Sequence, residues 1–178
     1  MHICPRCETT LSQSEVTEGY KDIKDFSVIA KFELVDEPNT FVLAWTTTPW
    51  TLPGNVALAV GEDIKYSELR IKNNELGDET YIVAKDLAEK VFEGKEYEIM
   101  REFKGSELVG KAYKPLFDYY SSDVSLQNRE NGWKIYAADF VNTDDGTGVV
   151  HIAPAFGEDD MTLGKQESLP FVQHVDIS

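Results

Sequence analysis

The sequence predicts a mainly β domain of the α+β class, with a β-barrel-like core and peripheral helices. Three observations carry this. Short apolar runs recur along the chain, some with strict alternation, and Pro, Gly, Asn and Asp punctuate them. Only two segments carry helical signals, and both are short. Strands do not alternate with long amphipathic helices, which argues against a doubly wound sheet. The 178 residues suit one domain around one core.

Residues 1–20 read as a tail leading into the fold, and residues 21–178 as the domain itself. From Phe26 onward, Phe26, Val28, Ala30, Phe32 and Leu34 alternate with Ser27, Lys31 and Glu33, the pattern of a half-buried strand. "EPNT" then turns the chain into the strand "FVLAWTTT". Pro53–Gly54 marks a turn before the strand "VALAV". Further strands are expected at "TYIVA", "YEIMREF", "WKIYAADFV" and "GVVHIA". The best helix is 85–93, where Ala84, Leu87, Ala88, Val91 and Phe92 share one face and Gly94 supplies a stop. A second helix begins near Gly157, while "KNNELGDE" and "SSDVSLQNRENG" read as exposed loops.

Composition narrows the function. A hydrophobic content of 42% and an aromatic content of 11% are globular values. No apolar run is long enough to span a bilayer, and the first residues lack the apolar middle of a secretory signal. A soluble, cytoplasmic protein is expected. Seventeen basic residues against 32 acidic ones give a net charge of −15. That argues against a broad nucleic-acid surface, which needs clustered Lys and Arg. It leaves room for a pocket that takes only the end of a nucleic acid held elsewhere. Otherwise the acidity serves solubility.

Cys4 and Cys7 form "CPRC", half of a four-ligand zinc site. The main reading is a severed zinc knuckle that binds no metal in this chain. A working site with His2 as a third ligand, or a redox pair, are the alternatives.

Two segments stand out chemically. In "FVLAWTTTPWTLPGNVALAV" an apolar strand ends in Thr46, Thr47 and Thr48 and stops at Pro49. Proline extends the residue before it and removes a ladder donor, so the strand end can offer hydroxyls to a ligand. In "GTGVVHIAPAFGEDD" another apolar strand carries His151, stops at Pro154, and leads to Glu158, Asp159 and Asp160. Taken singly, each feature has a plainer explanation. Threonine favours strands, a core histidine can simply be hydrogen-bonded, and acids suit a first helical turn. Together they suggest a pocket lined by hydroxyls, an imidazole and a carboxylate. No G-x-S-x-G elbow and no metal-spaced cluster of His and acids is present. The set suits a small cationic ligand or water-mediated cleavage of a labile bond.

"AWTTTPWTLPGNVALAV" together with "GTGVVHIAPAFGEDD" resembles the CP1 editing domain inserted in isoleucyl-tRNA synthetases, of the class I aminoacyl-tRNA synthetase family. The related leucine and valine enzymes carry arginine where this chain has Thr48, so "TTTPW" points to the isoleucine branch. "CPRCETTLSQSEV" and "LVGKAYKPLFDYY" also resemble that family. The resemblance implies a domain separated from its synthetase, since ATP-binding motifs and an anticodon-binding region are absent here. It implies hydrolysis of mischarged valyl-tRNA(Ile), with help in clearing valyl-adenylate. No cofactor is implied; ATP serves only the synthetic domain. The implied partners are the 3′ end of aminoacylated tRNA(Ile), its valine moiety and the rest of the synthetase, with no membrane.

Position by position, the resemblance places Thr46, Thr47 and Thr48 around the terminal adenosine and the attacking water. Trp50 packs around that site or serves structure alone. His151 forms a wall against the amino-acid side chain, and Asp160 holds the α-ammonium, with a helix N-terminus helping to keep it charged. Two rivals remain: a sister editing domain with another amino-acid preference, and a non-catalytic module that binds an amino acid or a protein.

Overall fold

The computed structural model describes residues 3–4, 6–19, 26–72 and 77–175. Strands β1 (Val28–Glu33), β2 (Thr40–Thr46), β3 (Ala57–Val60), β4 (Lys65–Ile71), β5 (Glu79–Ala84), β6 (Glu98–Lys104), β7 (Lys134–Ala137) and β8 (Val149–Ile152) make two sheets. The larger has the order β1-β2-β5-β4-β6, and the smaller β7-β3-β8. Both are mixed, with β2 parallel to β5 and β3 parallel to β7.

The two sheets face one another. Phe32, Val42, Ala44, Tyr66, Ile82 and Ala84 of the larger sheet pack against Leu58, Val60, Ile135 and Val149 of the smaller. Strand residues alternate between faces, so each sheet has a second apolar side, and a helix covers each. Leu43, Leu69 and Val83 pack under Ala88 and Phe92, in and just after α2 (Ala88–Val91). Ala57, Ala59 and Ile152 pack under Leu163 of α3 (Glu158–Gln166). β3 is therefore buried along its whole length, which is why "VALAV" reads as a continuous apolar run.

The β-rich core matches expectation, and its form is two packed open sheets, with no closed barrel found among the described residues. The edges of β1 and β7 do not pair directly. Residues 112 and 113 lie between them, through single bridges Leu34–Tyr113 and Ala112–Lys134. Elsewhere the Ala84 amide bonds the Thr147 carbonyl at 2.9 Å. A turn at "DDGTG" forms there, with Gly146 and Gly148 at φ 78° and 72°. A Cβ on Gly148 would fall 2.3 Å from that of Ala84, so only glycine lets the turn approach β5.

Two elements have no counterpart in the expectation from sequence. β4 sits inside the larger sheet, paired with β5 and β6. Its "KYSELRI" is mostly polar, because Ser67 is buried at a strand position and Glu68 pairs with Arg101. Helix α1 (Gln13–Glu18) lies in the expected tail, started by a capping box between Ser12 and Glu15 and burying no residue. The helix expected at 85–93 forms as a 3-10 turn, Lys85–Leu87, followed by α2, and Gly94 takes φ 73°. β7 is shorter than "WKIYAADFV". Part of the loop expected at "KNNELGDE" lies outside the described residues.

Candidate functional site

Register and alternation bring the two chemical segments together. Val42 and Ala44 of β2 face the opposite sheet, so Thr46, two positions further, belongs to that inner face. His151 pairs in register with Leu58, and both lie on the inner face of the smaller sheet with Val149. Thr46 and His151 are both buried, near the ends of strands that stop just before prolines. Thr47 falls on the other face and is exposed.

After Thr46 the chain enters a 3-10 turn, Pro49–Gly54. Its hydroxyls form a linked row. Thr46 Oγ1 accepts the Thr48 amide at 3.0 Å and lies 3.3 Å from Thr48 Oγ1. Thr48 Oγ1 lies 3.4 Å from Thr51 Oγ1, a long contact. Thr51 Oγ1 donates to the Thr48 carbonyl at 2.7 Å and lies 3.0 Å from His151 Nε2. A hydroxyl has one proton. Since that of Thr51 goes to the carbonyl, His151 must donate from Nε2, and the bond logic assigns its tautomer.

The other ring nitrogen, Nδ1, is buried without a partner among the described residues. Burial pushes the His151 imidazole down to about 4, so it is neutral at neutral pH. Thr51 is the member that the sequence reading missed. "TTTPWT" carries a fourth hydroxyl beyond the proline, and a 3-10 turn folds it back toward Thr48.

Asp160 stands in the first turn of α3, whose N-cap is Gly157. Its Oδ2 accepts the Ala153 amide at 2.9 Å, which anchors the carboxylate to the end of β8. Burial pushes the Asp160 carboxyl up, the Ala153 amide opposes this, and the Asp159 charge adds to the rise. Burial is the largest of these effects, so the carboxyl lies above the usual aspartate value. Glu158 and Asp159 are exposed, as acids on a helix dipole are. Trp50 is 61% exposed on the turn, and its carbonyl bonds His174 Nε2 at 2.9 Å.

Cys4 and Cys7 lie apart from this site. Their sulfurs are 3.1 Å apart in a small knuckle closed by the Cys4 amide on the Thr9 carbonyl. The Cys7 contact holds the Cys4 thiol below its usual value. Two thiolates fill half of a tetrahedral site. No group of three or more His, Cys, Asp or Glu residues is placed for a metal among the described residues. His2 lies outside them. No helix among them is long and apolar enough to cross a membrane.

No protein-family model matches the chain. It is similar to the isoleucine–tRNA ligase of Clostridium tetani, with 47% identity over 173 residues, covering 97% of this chain and 16% of the relative. It is likewise similar to that of Clostridium novyi, at 49% identity with the same coverage. The chain thus spans 16% of the length of these curated relatives. Among solved structures, GlLeuRS-CP1 matches with a TM-score of 0.64 at 21% identity, over 79% of this chain and 59% of that one. The Plasmodium knowlesi cytosolic leucyl-tRNA synthetase editing domain matches with a TM-score of 0.60 at 14% identity, over 85% of this chain and 66% of that one. At such identities the likeness is one of fold.

Proposed function

Because the chain belongs to the isoleucine–tRNA ligase family and has the CP1 editing-domain fold, we propose that it hydrolyses mischarged valyl-tRNA(Ile). In this reading residues 21–178 are the editing domain and residues 1–20 its lead-in. The observation that carries the reading is the bonded row Thr46–Thr48–Thr51–His151. It joins the two strand-end motifs into one wall of hydroxyls and imidazole, with Asp160 fixed at the end of the same strand as His151.

The chemistry needed is modest. Water adds to the ester carbonyl, the terminal ribose hydroxyl leaves, and valine and tRNA are released. An aminoacyl ester is intrinsically reactive, so positioning and stabilisation of the developing oxyanion supply most of what is required. Thr46 and Thr48 offer hydroxyls for the ribose and the water. Asp160 offers a carboxylate for the α-ammonium, and the exposed Trp50 offers a ring to pack around the terminal adenosine. His151 is a poor candidate for the base, since Nε2 is committed to Thr51 and Nδ1 is buried. Its value is as a rigid wall.

A wall is what the selectivity calls for. A synthetic pocket shaped for isoleucine cannot strongly reject valine, because one methylene is worth only about 1–3 kcal/mol; this amino-acid pair is the standard instance of that limit. A second, smaller site that admits valine and excludes isoleucine corrects it. The test is single-turnover deacylation of valyl- and isoleucyl-tRNA(Ile) by this chain, side by side. Faster release of valine supports the reading. No release from either, at chain concentrations high enough to offset weak capture by an acidic surface, overturns it.

A further inference from the structure

We infer that His174 is a positioning residue of this site, supplying a hydrogen-bond donor that the turn carrying Trp50 and Thr51 cannot supply for itself; the inference rests on the editing reading above. In a 3-10 turn each carbonyl accepts from the N–H three residues further on. For the Trp50 carbonyl that residue is Pro53, which has no N–H. His174 Nε2 takes its place at 2.9 Å. A carbonyl can only accept, so the proton is on Nε2.

The imidazole is held by packing as well as by this bond. Its ring centre lies 4.7 Å from that of Phe156, tilted by 57°. Its Nδ1 lies 2.9 Å from where a Cβ on Gly54 would stand. Any side chain at position 54 would collide with the ring, so the glycine that ends the turn also seats His174. Phe156 belongs to the segment between β8 and α3, just before the helix that carries Asp160. His174 therefore touches both motif segments from a third stretch of chain, beyond α3.

The turn is consequently held at two points. On its inner side Thr51 bonds the Thr48 carbonyl and His151. On its outer side the Trp50 carbonyl bonds His174. Residue 51 follows residue 50 directly, so motion of the released Trp50 peptide is transmitted to the Thr51 hydroxyl and the ring it orients. His174 touches no reacting group in this arrangement and acts through the turn.

Three variants separate the bond from the packing. H174F keeps a ring against Phe156 and removes the donor, with H174L as a second donor-free form should H174F fail to fold. H174Q keeps a donor near the position of Nε2. P53A restores the missing N–H within the turn and should make His174 dispensable. In single-turnover hydrolysis of valyl-tRNA(Ile), H174F should slow the rate about tenfold without weakening half-saturation, as expected for lost positioning. H174Q and the P53A/H174F double variant should recover most of the rate. A substrate-free readout runs in parallel: amide hydrogen exchange across residues 50–55 should rise in H174F and fall back in P53A/H174F. Full activity in H174F, or no recovery in either rescue, overturns the proposal. If no form hydrolyses valyl-tRNA, the editing reading fails, and the exchange pattern alone decides for or against His174.

Discussion

Thr51 donates its hydroxyl proton to the Thr48 carbonyl at 2.7 Å and receives His151 Nε2 at 3.0 Å. One buried side chain thus joins a turn after β2 to the end of β8, across the two sheets. Thr51→Val keeps nearly the same shape, breaks both bonds, and leaves the His151 N–H buried without an acceptor. Such a loss costs about 1–3 kcal/mol. Urea unfolding should show a lower midpoint for T51V, with T51S restoring most of it. A T51V midpoint equal to that of the unmodified chain would mean that the row is incidental.

The neutral state of His151 has a consequence for stability. Its folded value is about 4, against about 6.5 for a free imidazole. Above about pH 6.5 the ring is neutral in both states and contributes nothing to the pH dependence. Between about 6.5 and about 4 the unfolded chain takes up a proton that the fold refuses, so stability falls with falling pH; below that the effect levels off. The loss across this window is on the order of 3 kcal/mol. H151Q keeps a donor for Thr51 and does not titrate. The difference in unfolding free energy between H151Q and the unmodified chain should therefore change with pH in this window, and parallel curves would refute the assignment.

The site is only partly legible in the sequence, for definite reasons. Thr46, His151 and Asp160 each mark the point where an apolar run meets a proline or a helix start, and such punctuation is visible in one dimension. Thr51 and His174 are not, because their roles depend on a 3-10 turn and on a strap that returns after α3. The fold shows the same division. β2, β3 and β8 stand out as apolar runs because both their faces are covered. β4 does not, since it pairs Glu68 with Arg101 along the sheet and buries Ser67. The arrangement of the strands in two sheets depends on which edges pair, which local pattern does not encode.

Asp160 gives a prediction of the opposite sign. Burial raises its carboxyl, so the fold itself favours the protonated acid, and stability from this group is lost as pH rises through the raised value. An α-ammonium needs the carboxylate. Hydrolysis should therefore decline with acidification earlier than an ordinary aspartate would dictate, and D160N should be slow and nearly flat over that range. D160A should lose about 2–5 kcal/mol of substrate binding, and N-acetyl-valyl-tRNA should be equally poor with the unmodified chain. Normal cleavage by D160A would reduce Asp160 to a partner of the Ala153 amide.

Metal removal should leave the domain intact. Cys4 and Cys7 supply two sulfurs, and a structural zinc site needs four ligands. Chelation should not shift the thermal midpoint, and elemental analysis should find well under one zinc per chain. One tightly held zinc, with unfolding on chelation, would show that further ligands join the knuckle.

The threonine run should respond unevenly to substitution. Thr46 is buried and caps the Thr48 amide, Thr48 contacts both Thr46 and Thr51, and Thr47 is exposed on the other face. T47A should leave the unfolding free energy within about 0.5 kcal/mol of that of the unmodified chain, as exposed substitutions do. T46A should cost about 1–3 kcal/mol, because it strands a part-buried amide. T48A removes a hydroxyl aimed along the row without emptying the core, so its effect should fall on the rate of valyl-tRNA hydrolysis more than on stability. Measuring unfolding and single-turnover rate for all three separates the roles. Equal losses of stability and rate at Thr46, Thr47 and Thr48 would mean that threonine serves here only as a strand former.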